Sequence, residues 1–176
     1  MEERHNSHEL FQKLQTSEIY KSVSRPIIIA DNLRTPENMG SVLRLAGNIG
    51  ALKTLFISDT AHQFKNYKIN RTASGAAEKT KWKIISSDQL KSEIPNVYQM
   101  ILLETTKQST NIFDFNFPQK TAFVIGNEVS GIRSELLEKP YRHLYIPIPG
   151  PISSLNTTHA LSIALFEWLR QMVKKS

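Results

Sequence analysis

Three short polar stretches hold the residues of this chain whose types and spacing could do chemistry. They run from Asn38 to Arg44 (NMGSVLR), from Gly126 to Gly131 (GNEVSG) and from Ser154 to Asn156 (SLN). They offer amides, hydroxyls, one carboxylate and one guanidinium, which can orient a nucleophile, move a proton or stabilise developing charge. Each stretch alone also has a plain structural explanation, as a solvated helix face, a glycine turn or a helix cap.

The elements that must position these stretches alternate along the chain. Hydrophobic patterning predicts strands over residues 27–30, 52–58, 82–85, 97–103, 121–125 and 144–146. Helices are predicted over residues 36–50, in part over 67–79, over 87–93, from a cap at Ser130 to about 138, and from about 156 to 170. This alternation predicts an α/β fold with a mainly parallel sheet and helices on both faces. Because ligands bind at the carboxyl ends of parallel strands, the stretch that leaves the strand over residues 121–125 is a candidate ligand-binding loop.

The amino-acid composition indicates the size of the domain and the kind of molecule that it can bind. The 176 residues are 40% hydrophobic, enough for one domain with one core, and the net charge of +6 favours a polyanionic partner. The excess is concentrated between residues 65 and 83, where six basic residues face one acid, Glu78, a local charge of +5. We expect a single domain over residues 25–176, preceded by a polar arm of mixed charge over residues 1–24, whose Leu10, Phe11 and Leu14 could form a short amphipathic helix.

Several classes of protein are disfavoured by the sequence. The absence of cysteine excludes disulfides and thiolate metal sites, and no His, Asp or Glu cluster has metal-ligand spacing. The apolar runs are far shorter than the roughly 20 residues of a membrane span, and the polar N-terminus is unlike a signal peptide. We therefore expect a cytoplasmic protein without a metal or a membrane partner.

The three stretches, in this order, resemble the signature motifs of a known family. N-x-G-x-x-x-R from Asn38 to Arg44, G-N-E-x-x-G from Gly126 to Gly131, and Ile146 with Ser154-Leu155-Asn156 resemble those of the SpoU/TrmH RNA ribose methyltransferases, members of the knotted SPOUT class. The resemblance covers about residues 27–170. It implies a deep trefoil knot in the C-terminal third, S-adenosylmethionine bound in that knot, and a homodimer. Where the family commonly continues with Val-Ser, this chain has Thr157-Thr158, which are small and partly polar and should preserve the pocket.

The resemblance also implies roles for individual residues. Arg44 matches the family's catalytic arginine, either as the base for the ribose hydroxyl or as a group that pins phosphate and stabilises the alkoxide. The second role avoids deprotonating a guanidinium whose pKa exceeds about 12, and the sequence leaves both open. The other expected catalytic residues are Asn38, Glu128 and Asn156. The expected cofactor-binding residues are Leu103, Glu104, Thr105, Gly126, Asn127, Ile146, Ser154 and Leu155.

Other functions remain open from the sequence. A non-catalytic RNA-binding module could keep the fold, although loss of Arg44, Asn38 or Glu128 would have supported it and all three are present. A Rossmann dehydrogenase is disfavoured because no G-x-G-x-x-G follows the first strand. The first motif favours ribose over base methylation.

The RNA could be tRNA, at the D-loop or wobble position, or ribosomal RNA; tRNA is favoured because no large RNA-binding domain is appended. Lys65, Lys68 and Arg71 are the expected RNA contacts.

Overall fold

The computed structural model describes residues 16–58, 66–152 and 154–175. Within these ranges seven strands form one wholly parallel sheet. They are β1 Ile27–Asp31, β2 Lys53–Ile57, β3 Trp82–Ile85, β4 Gln99–Leu103, β5 Thr110–Asn111, β6 Thr121–Ile125 and β7 Arg142–Tyr145. Their order across the sheet is β3-β2-β1-β6-β4-β7-β5.

Helices cover both faces of the sheet, as the alternating pattern predicts. They are α1 Thr16–Ser22, α2 Pro36–Ile49, α3 Asn66–Ala73, α4 Ala76–Lys79, α5 Leu90–Glu93, α6 Ser134–Leu137 and α7 Thr157–Lys175, with a 3₁₀ turn at Ile112–Asp114. The central strands β1 and β6 are buried throughout, because each contributes apolar side chains to both faces. Helices α2, α3 and α7 pack on one face. Helices α5 and α6 pack on the other.

The helix that carries the first motif has well-formed ends. Pro36 begins α2, and the Thr35 hydroxyl accepts a hydrogen bond of 3.2 Å from the amide of Asn38. Gly50 ends it in the left-handed conformation, at φ 68°. The motif glycine, Gly40, faces α3, and a Cβ there would lie 2.5 Å from Thr72 Cβ. Gly40 therefore serves close packing between two helices.

Some elements differ from their predicted bounds. The chain after β4 holds β5 and the 3₁₀ turn, both of which are too short to give a periodic signal. The cap predicted at Ser130 is wrong. The Ser130 amide instead donates to Asn127 Oδ1 in a turn, so α6 begins only at Ser134. The last strand ends at Tyr145, because the proline-rich segment after it cannot continue the ladder.

Helix α1 packs on the end of α2. The Tyr20 hydroxyl donates to the carbonyl of Ile49, and the Arg25 guanidinium lies 4.3 Å from the centre of the Tyr20 ring. Burial raises the pKa of Tyr20 to about 12, although Arg25 opposes this shift. This part of the predicted arm is thus joined to the domain, while Leu10, Phe11 and Leu14 of its predicted helix lie outside the described residues.

Candidate active site

A cavity of about 500 Å³ opens at the carboxyl ends of three adjacent strands, β6, β4 and β7. The start of α7 forms its remaining wall. Its lining includes all eight residues predicted to bind the cofactor: Leu103, Glu104, Thr105, Gly126, Asn127, Ile146, Ser154 and Leu155. The alternation of strands and helices thus brings together residues more than 50 positions apart, at the edge where parallel sheets bind ligands.

The charge of this cavity is opposite to that of the chain. Glu104 and Glu128 line it, and among its described lining residues there is no lysine or arginine. The chain as a whole carries +6. Such a cavity favours a cationic or neutral ligand over a nucleotide diphosphate, which would need backbone donors or basic side chains at its phosphates.

The second motif forms a tight turn that supports itself. Asn127 Oδ1 accepts hydrogen bonds from the amides of Val129 and Ser130, at 2.8 and 3.1 Å, and Asn127 Nδ2 donates to the carbonyl of Asn32 at 2.6 Å. The main chains of Asn127 and Gly131 also exchange two hydrogen bonds. The Asn127 side chain is therefore committed to the turn, and main-chain groups are what this residue can offer a ligand.

Glu104 joins the end of β4 to the same turn. Its Oε2 accepts a hydrogen bond of 3.0 Å from the amide of Ile132, and its Oε1 one of 3.1 Å from the amide of Thr105. Gly131, at φ 70°, lies against this carboxylate, and a Cβ there would be 2.4 Å from Oε2. The carboxylate thus holds two walls of the cavity together.

A buried ion pair anchors the far end of the turn. Asp31, 1% exposed at the end of β1, accepts hydrogen bonds from the Arg133 amide at 2.8 Å and from Arg133 Nε at 2.7 Å. Arg133 Nη2 lies 2.7 Å from the same carboxylate. The sequence carries no sign of this pair, because nothing in its pattern links Asp31 to a residue about 100 positions later.

Two residues predicted to be catalytic contact each other. Asn38 Nδ2 donates to Glu128 Oε1, and the amide of Arg34 donates to Glu128 Oε2 at 3.1 Å. Glu128 lines the cavity, so this contact ties the start of α2 to its rim. Both residues thus have a structural task beside any chemical one.

Asn156, a third predicted catalytic residue, caps α7. Its Oδ1 accepts from the amide of Thr158 at 2.9 Å and from the Thr158 hydroxyl at 2.6 Å. Thr157 lines the cavity and donates at 3.1 Å to the carbonyl of Gly126. The Thr157-Thr158 pair therefore joins the start of α7 to the second motif and completes its cap.

Comparison with known proteins shows which family this chain belongs to. The profile of the SpoU rRNA Methylase family matches residues 25–166. The chain belongs to the SpoU rRNA Methylase family. It is 28% identical over 152 residues to the tRNA (guanosine(18)-2'-O)-methyltransferase of Aquifex aeolicus, covering 85% of this chain and 71% of that enzyme. It is 27% identical over 146 residues to the 23S rRNA (guanosine-2'-O-)-methyltransferase RlmB of Xylella fastidiosa, covering 82% of this chain and 58% of that one.

Solved structures of SpoU methyltransferases share the fold. The AviRb methyltransferase of Streptomyces viridochromogenes, in complex with the cofactor AdoMet, superposes with a TM-score of 0.73 at 23% identity, over 86% of this chain and 59% of that one. The chain thus spans about three fifths of the length of AviRb and of the Xylella enzyme. The family's α/β architecture with a parallel sheet is that of this chain.

The arginine of the first SpoU motif lies apart from the cavity. Arg44 is exposed and is not among the residues that line the cavity. It follows Asn38 by six residues on α2, which places it about 9 Å further along the axis and on a different side of the helix. Of the four predicted catalytic residues, Glu128 and Asn156 line the cavity, Asn38 contacts Glu128, and Arg44 does neither.

The basic segment over residues 65–83 is not one surface. Lys65 lies outside the described residues, while Lys68 and Arg71 are exposed on α3. Lys83 is on β3 and forms an ion pair with Glu93, whose pKa it lowers, and Lys53 lies 3.2 Å from the same carboxylate. The side chain of Lys83 points to the sheet face opposite α3, because its neighbours on β3 pack against the α2 side. The exposed basic side chains of this segment therefore do not all lie on the face that carries Lys68 and Arg71.

A buried histidine supports the cavity wall formed by the loop after β4. His143, 3% exposed on β7, contacts the Thr106 hydroxyl through Nδ1 at 3.0 Å. The Ser109 hydroxyl donates its proton to the carbonyl of Glu104 at 2.7 Å. The Thr106 hydroxyl lies 2.9 Å from the Ser109 hydroxyl and can donate to it, and Nδ1 of His143 can then donate to Thr106. Nε2 of His143 has no partner among the described residues.

Replacing His143 by leucine is expected to weaken cofactor binding about fivefold, the equivalent of about 1 kcal/mol for one lost hydrogen bond. The reason is that Glu104 and Thr105 lose the support of the chain through Thr106 and Ser109. Calorimetric titration with S-adenosylmethionine measures the change. His143→Asn, whose amide can replace the Nδ1 donor, should restore most of the affinity. Equal loss in both variants would show that ring packing matters and the hydrogen bond does not.

Two structural statements concern residues 16–58, 66–152 and 154–175. No helix there is long and apolar enough to cross a membrane. No group of three or more His, Asp or Glu side chains there is arranged to hold a metal ion.

Proposed function

We propose that this protein methylates a ribose 2′-hydroxyl in structured RNA, with S-adenosylmethionine as the methyl donor. The observation that carries the proposal is the acidic cavity of about 500 Å³ at the carboxyl edge, lined by all the residues that the family motifs single out for the cofactor. Membership of the SpoU rRNA Methylase family supports it. The AdoMet complex of AviRb, which shares the fold, shows that this architecture can hold that cofactor.

The residues of the cavity fit the cofactor. Leu103, Ile146 and Leu155 offer apolar side chains that could enclose an adenine ring, while main-chain groups of the three loops read its edge. Glu104 and Glu128 supply negative potential for a cationic ligand. Bound there, S-adenosylmethionine would supply a methyl group activated by the positive charge of its sulfonium.

The chain's own residues would orient the ribose and manage its proton. Glu128 is held at the rim by Asn38 and Arg34, so its carboxylate can keep a fixed position beside the reacting hydroxyl. Arg44 lies outside the cavity, so its part in the reaction requires RNA bound across the exposed face of α2 or a second subunit nearby. Its planar guanidinium suits a phosphate contact that also stabilises the developing alkoxide. Proton abstraction by Arg44 remains the alternative.

The substrate we favour is tRNA, with ribosomal RNA as the alternative. The Aquifex relative acts on tRNA and is matched over 71% of its length, whereas the Xylella relative acts on 23S rRNA and is matched over 58%. The protein would act in the cytoplasm, where both RNAs are available.

Incubating the protein with labelled S-adenosylmethionine and transcribed tRNA or rRNA tests this proposal. We expect one methyl group per tRNA, at a nucleotide whose 2′-O-methylation then blocks alkaline cleavage at the following phosphate. Calorimetry should show one cofactor per chain. Folded protein that binds RNA without binding cofactor would instead establish a non-catalytic RNA-binding module. Label on a base would contradict ribose specificity.

The α3 surface is our proposed main contact for RNA phosphates. Lys68 and Arg71 are exposed there, and α3 packs against the helix that carries Arg44. Lys65, the third expected contact, lies outside the described residues. Their effect should be electrostatic, so affinity for any RNA would fall as salt rises.

We propose that the protein is a homodimer with a C-terminal trefoil knot. Phe166 on α7 is 50% exposed and has the half-buried Ile163 and Leu169 on its side of the helix, an apolar stripe that suits a second copy. Strand β7 lies between β4 and β5 although it follows both in the chain, an arrangement that a knotted connection would produce. Light scattering measures the mass, and Phe166→Glu should lower it to that of one chain.

A further inference from the structure

A second groove of about 510 Å³ opens at the other end of the strands that form the cofactor cavity. One wall is α5 with the segment that follows it, and the other is the chain between α6 and β7. Its floor is apolar, and its rim carries two tyrosines and three basic side chains. The residues that matter here are Leu90, Ile94, Met100 and Leu136 on the floor, and Tyr98, Tyr141, Lys91, Lys139 and Arg142 on the rim.

The charge of the groove is entirely positive. Lys91, Lys139 and Arg142 are exposed, and none of them forms an ion pair with another described residue. No aspartate or glutamate is among its described lining residues. The acids nearest in the chain are Asp88, Glu93 and Glu138, and Glu93 is engaged by Lys53 and Lys83. Three unpaired cations around an apolar floor favour a ligand with both an anionic and a flat apolar part.

The tyrosines give the groove a rigid side. The Tyr98 hydroxyl donates to the carbonyl of Arg25 at 2.9 Å, which fixes that ring at the start of β1. Tyr141 is half-buried and packs on the same core cluster as Tyr98. Aromatic side chains beside basic ones form the usual platform for unpaired nucleotides, because every base has a face that can stack.

The groove and the cofactor cavity lie at opposite ends of β4 and β7. Gln99, Met100 and Arg142 start these strands and line the groove, while Leu103 and Leu144 line the cavity. The five residues of β4 span about 15 Å at about 3.3 Å per residue. Since the two sites lie at opposite edges of the sheet, an RNA that contacts both must extend around the domain, over a path longer than the strand.

We propose that this groove binds an unpaired nucleotide of the RNA substrate, with phosphates on Lys91, Lys139 and Arg142 and the base on the apolar floor. It is a second contact at the opposite edge of the sheet from the site of methyl transfer, and would favour RNAs large enough to extend a loop or an end around the domain. The inference rests on the proposed function, because an RNA substrate is what makes a nucleotide the expected occupant. An acidic protein segment or an anionic membrane could pair with the three basic side chains, but it would bring no base to stack on the tyrosine rings.

Binding of a fluorescein-labelled 12-nucleotide single-stranded RNA, followed by anisotropy, tests this inference. Lys91→Ala/Lys139→Ala should weaken binding about tenfold at low salt and flatten the slope of log affinity against log salt by up to about 1.4, since each lost phosphate contact accounts for about 0.7. The matched control is Lys120→Ala/Lys174→Ala, which removes the same charge from exposed positions outside the groove. Tyr141→Leu, which keeps an apolar side chain but removes the ring, should weaken binding at least fivefold with an unchanged slope.

Each result of these binding experiments shows which part of the inference is wrong. Equal effects of the two lysine pairs would mean that only net charge matters, and the groove would be rejected. An unaffected Tyr141→Leu variant with a weakened lysine variant would also reject a nucleotide in favour of a purely anionic partner. Cofactor titration of the same variants should stay at the wild-type affinity. Wild-type protein that binds cofactor and methylates RNA, with groove variants unchanged in every assay, would leave the proposed function intact and overturn this inference alone.

Discussion

Replacing Gly126 by alanine is expected to abolish cofactor binding and to lower the free energy of unfolding by about 3 kcal/mol, the upper end for forcing a methyl group into a packed site. A Cβ at this position would lie 2.2 Å from the carbonyl carbon of Gly131 and 2.3 Å from the amide nitrogen of Ile132. Both are main-chain atoms of the same turn. They cannot rotate away as a side chain could, so the turn itself must move.

The movement would disturb the site as well as the fold. The displaced residues, Gly131 and Ile132, are those held by Glu104, and the adjacent Arg133 is held by Asp31. The Gly126 carbonyl also accepts from Thr157 at the start of α7. Moving the turn would therefore open the cavity on three sides.

Thermal unfolding and calorimetric titration with S-adenosylmethionine measure the two effects. Gly150→Ala is the matched control, since a Cβ there meets nothing within 4 Å and the position is exposed. We expect that variant to bind cofactor as the wild type does. A Gly126→Ala protein with wild-type stability and affinity would show that the second motif tolerates a side chain and that its glycine has another purpose.

Replacing Arg44 by alanine is expected to lower kcat for methyl transfer at least about 100-fold, the effect of removing one group that stabilises transition-state charge. The melting temperature and the affinity for cofactor should be unchanged. Arg44 is exposed on α2, so its loss opens no core cavity, and it does not line the cofactor cavity. Single-turnover methylation with saturating RNA measures the chemical step separately from RNA binding.

Arg44→Lys distinguishes stabilisation by positive charge alone from a bidentate phosphate contact. Lysine keeps the positive charge but loses the planar fork, so strong retention of activity would indicate simple electrostatic stabilisation. Asn48→Ala, one turn further along α2 and also exposed, is the control for changes on this helix. If Arg44→Ala instead melted far below the wild type, with normal activity per folded molecule, the arginine would be structural.

The residues expected to bind the cofactor were named by the resemblance, and several of them lie at the ends of recognisable strands. Strand β6 is as apolar as a buried parallel strand must be, and its end places Gly126 at the ligand-binding edge. The same reasoning placed Leu103 and Ile146. In each case a local pattern determined the strand, and the resemblance named the residue at its end as part of the expected site.

Several contacts of the site could not be predicted from the sequence. Asp31 pairs with Arg133, and Glu128 with Asn38, across about 100 and 90 positions. Neither pairing has a periodic signature, because contact between distant segments depends on strand order. Strand order is itself not readable here, since β5 has two polar residues and β7 lies between strands that precede it.

By itself the sequence determined the alternation of strands and helices, the residues of the three motifs and the surplus of positive charge, because these depend on local pattern and composition. Only the tertiary structure decided how they are used. It places Arg44 outside the cavity, gives Asn127 and Asn156 a structural task, and divides the basic segment between two faces of the sheet. The physical reason is that a side chain's partners are set by which distant segments pack beside it. In a sheet of this order, those neighbours come from strands far apart in the chain.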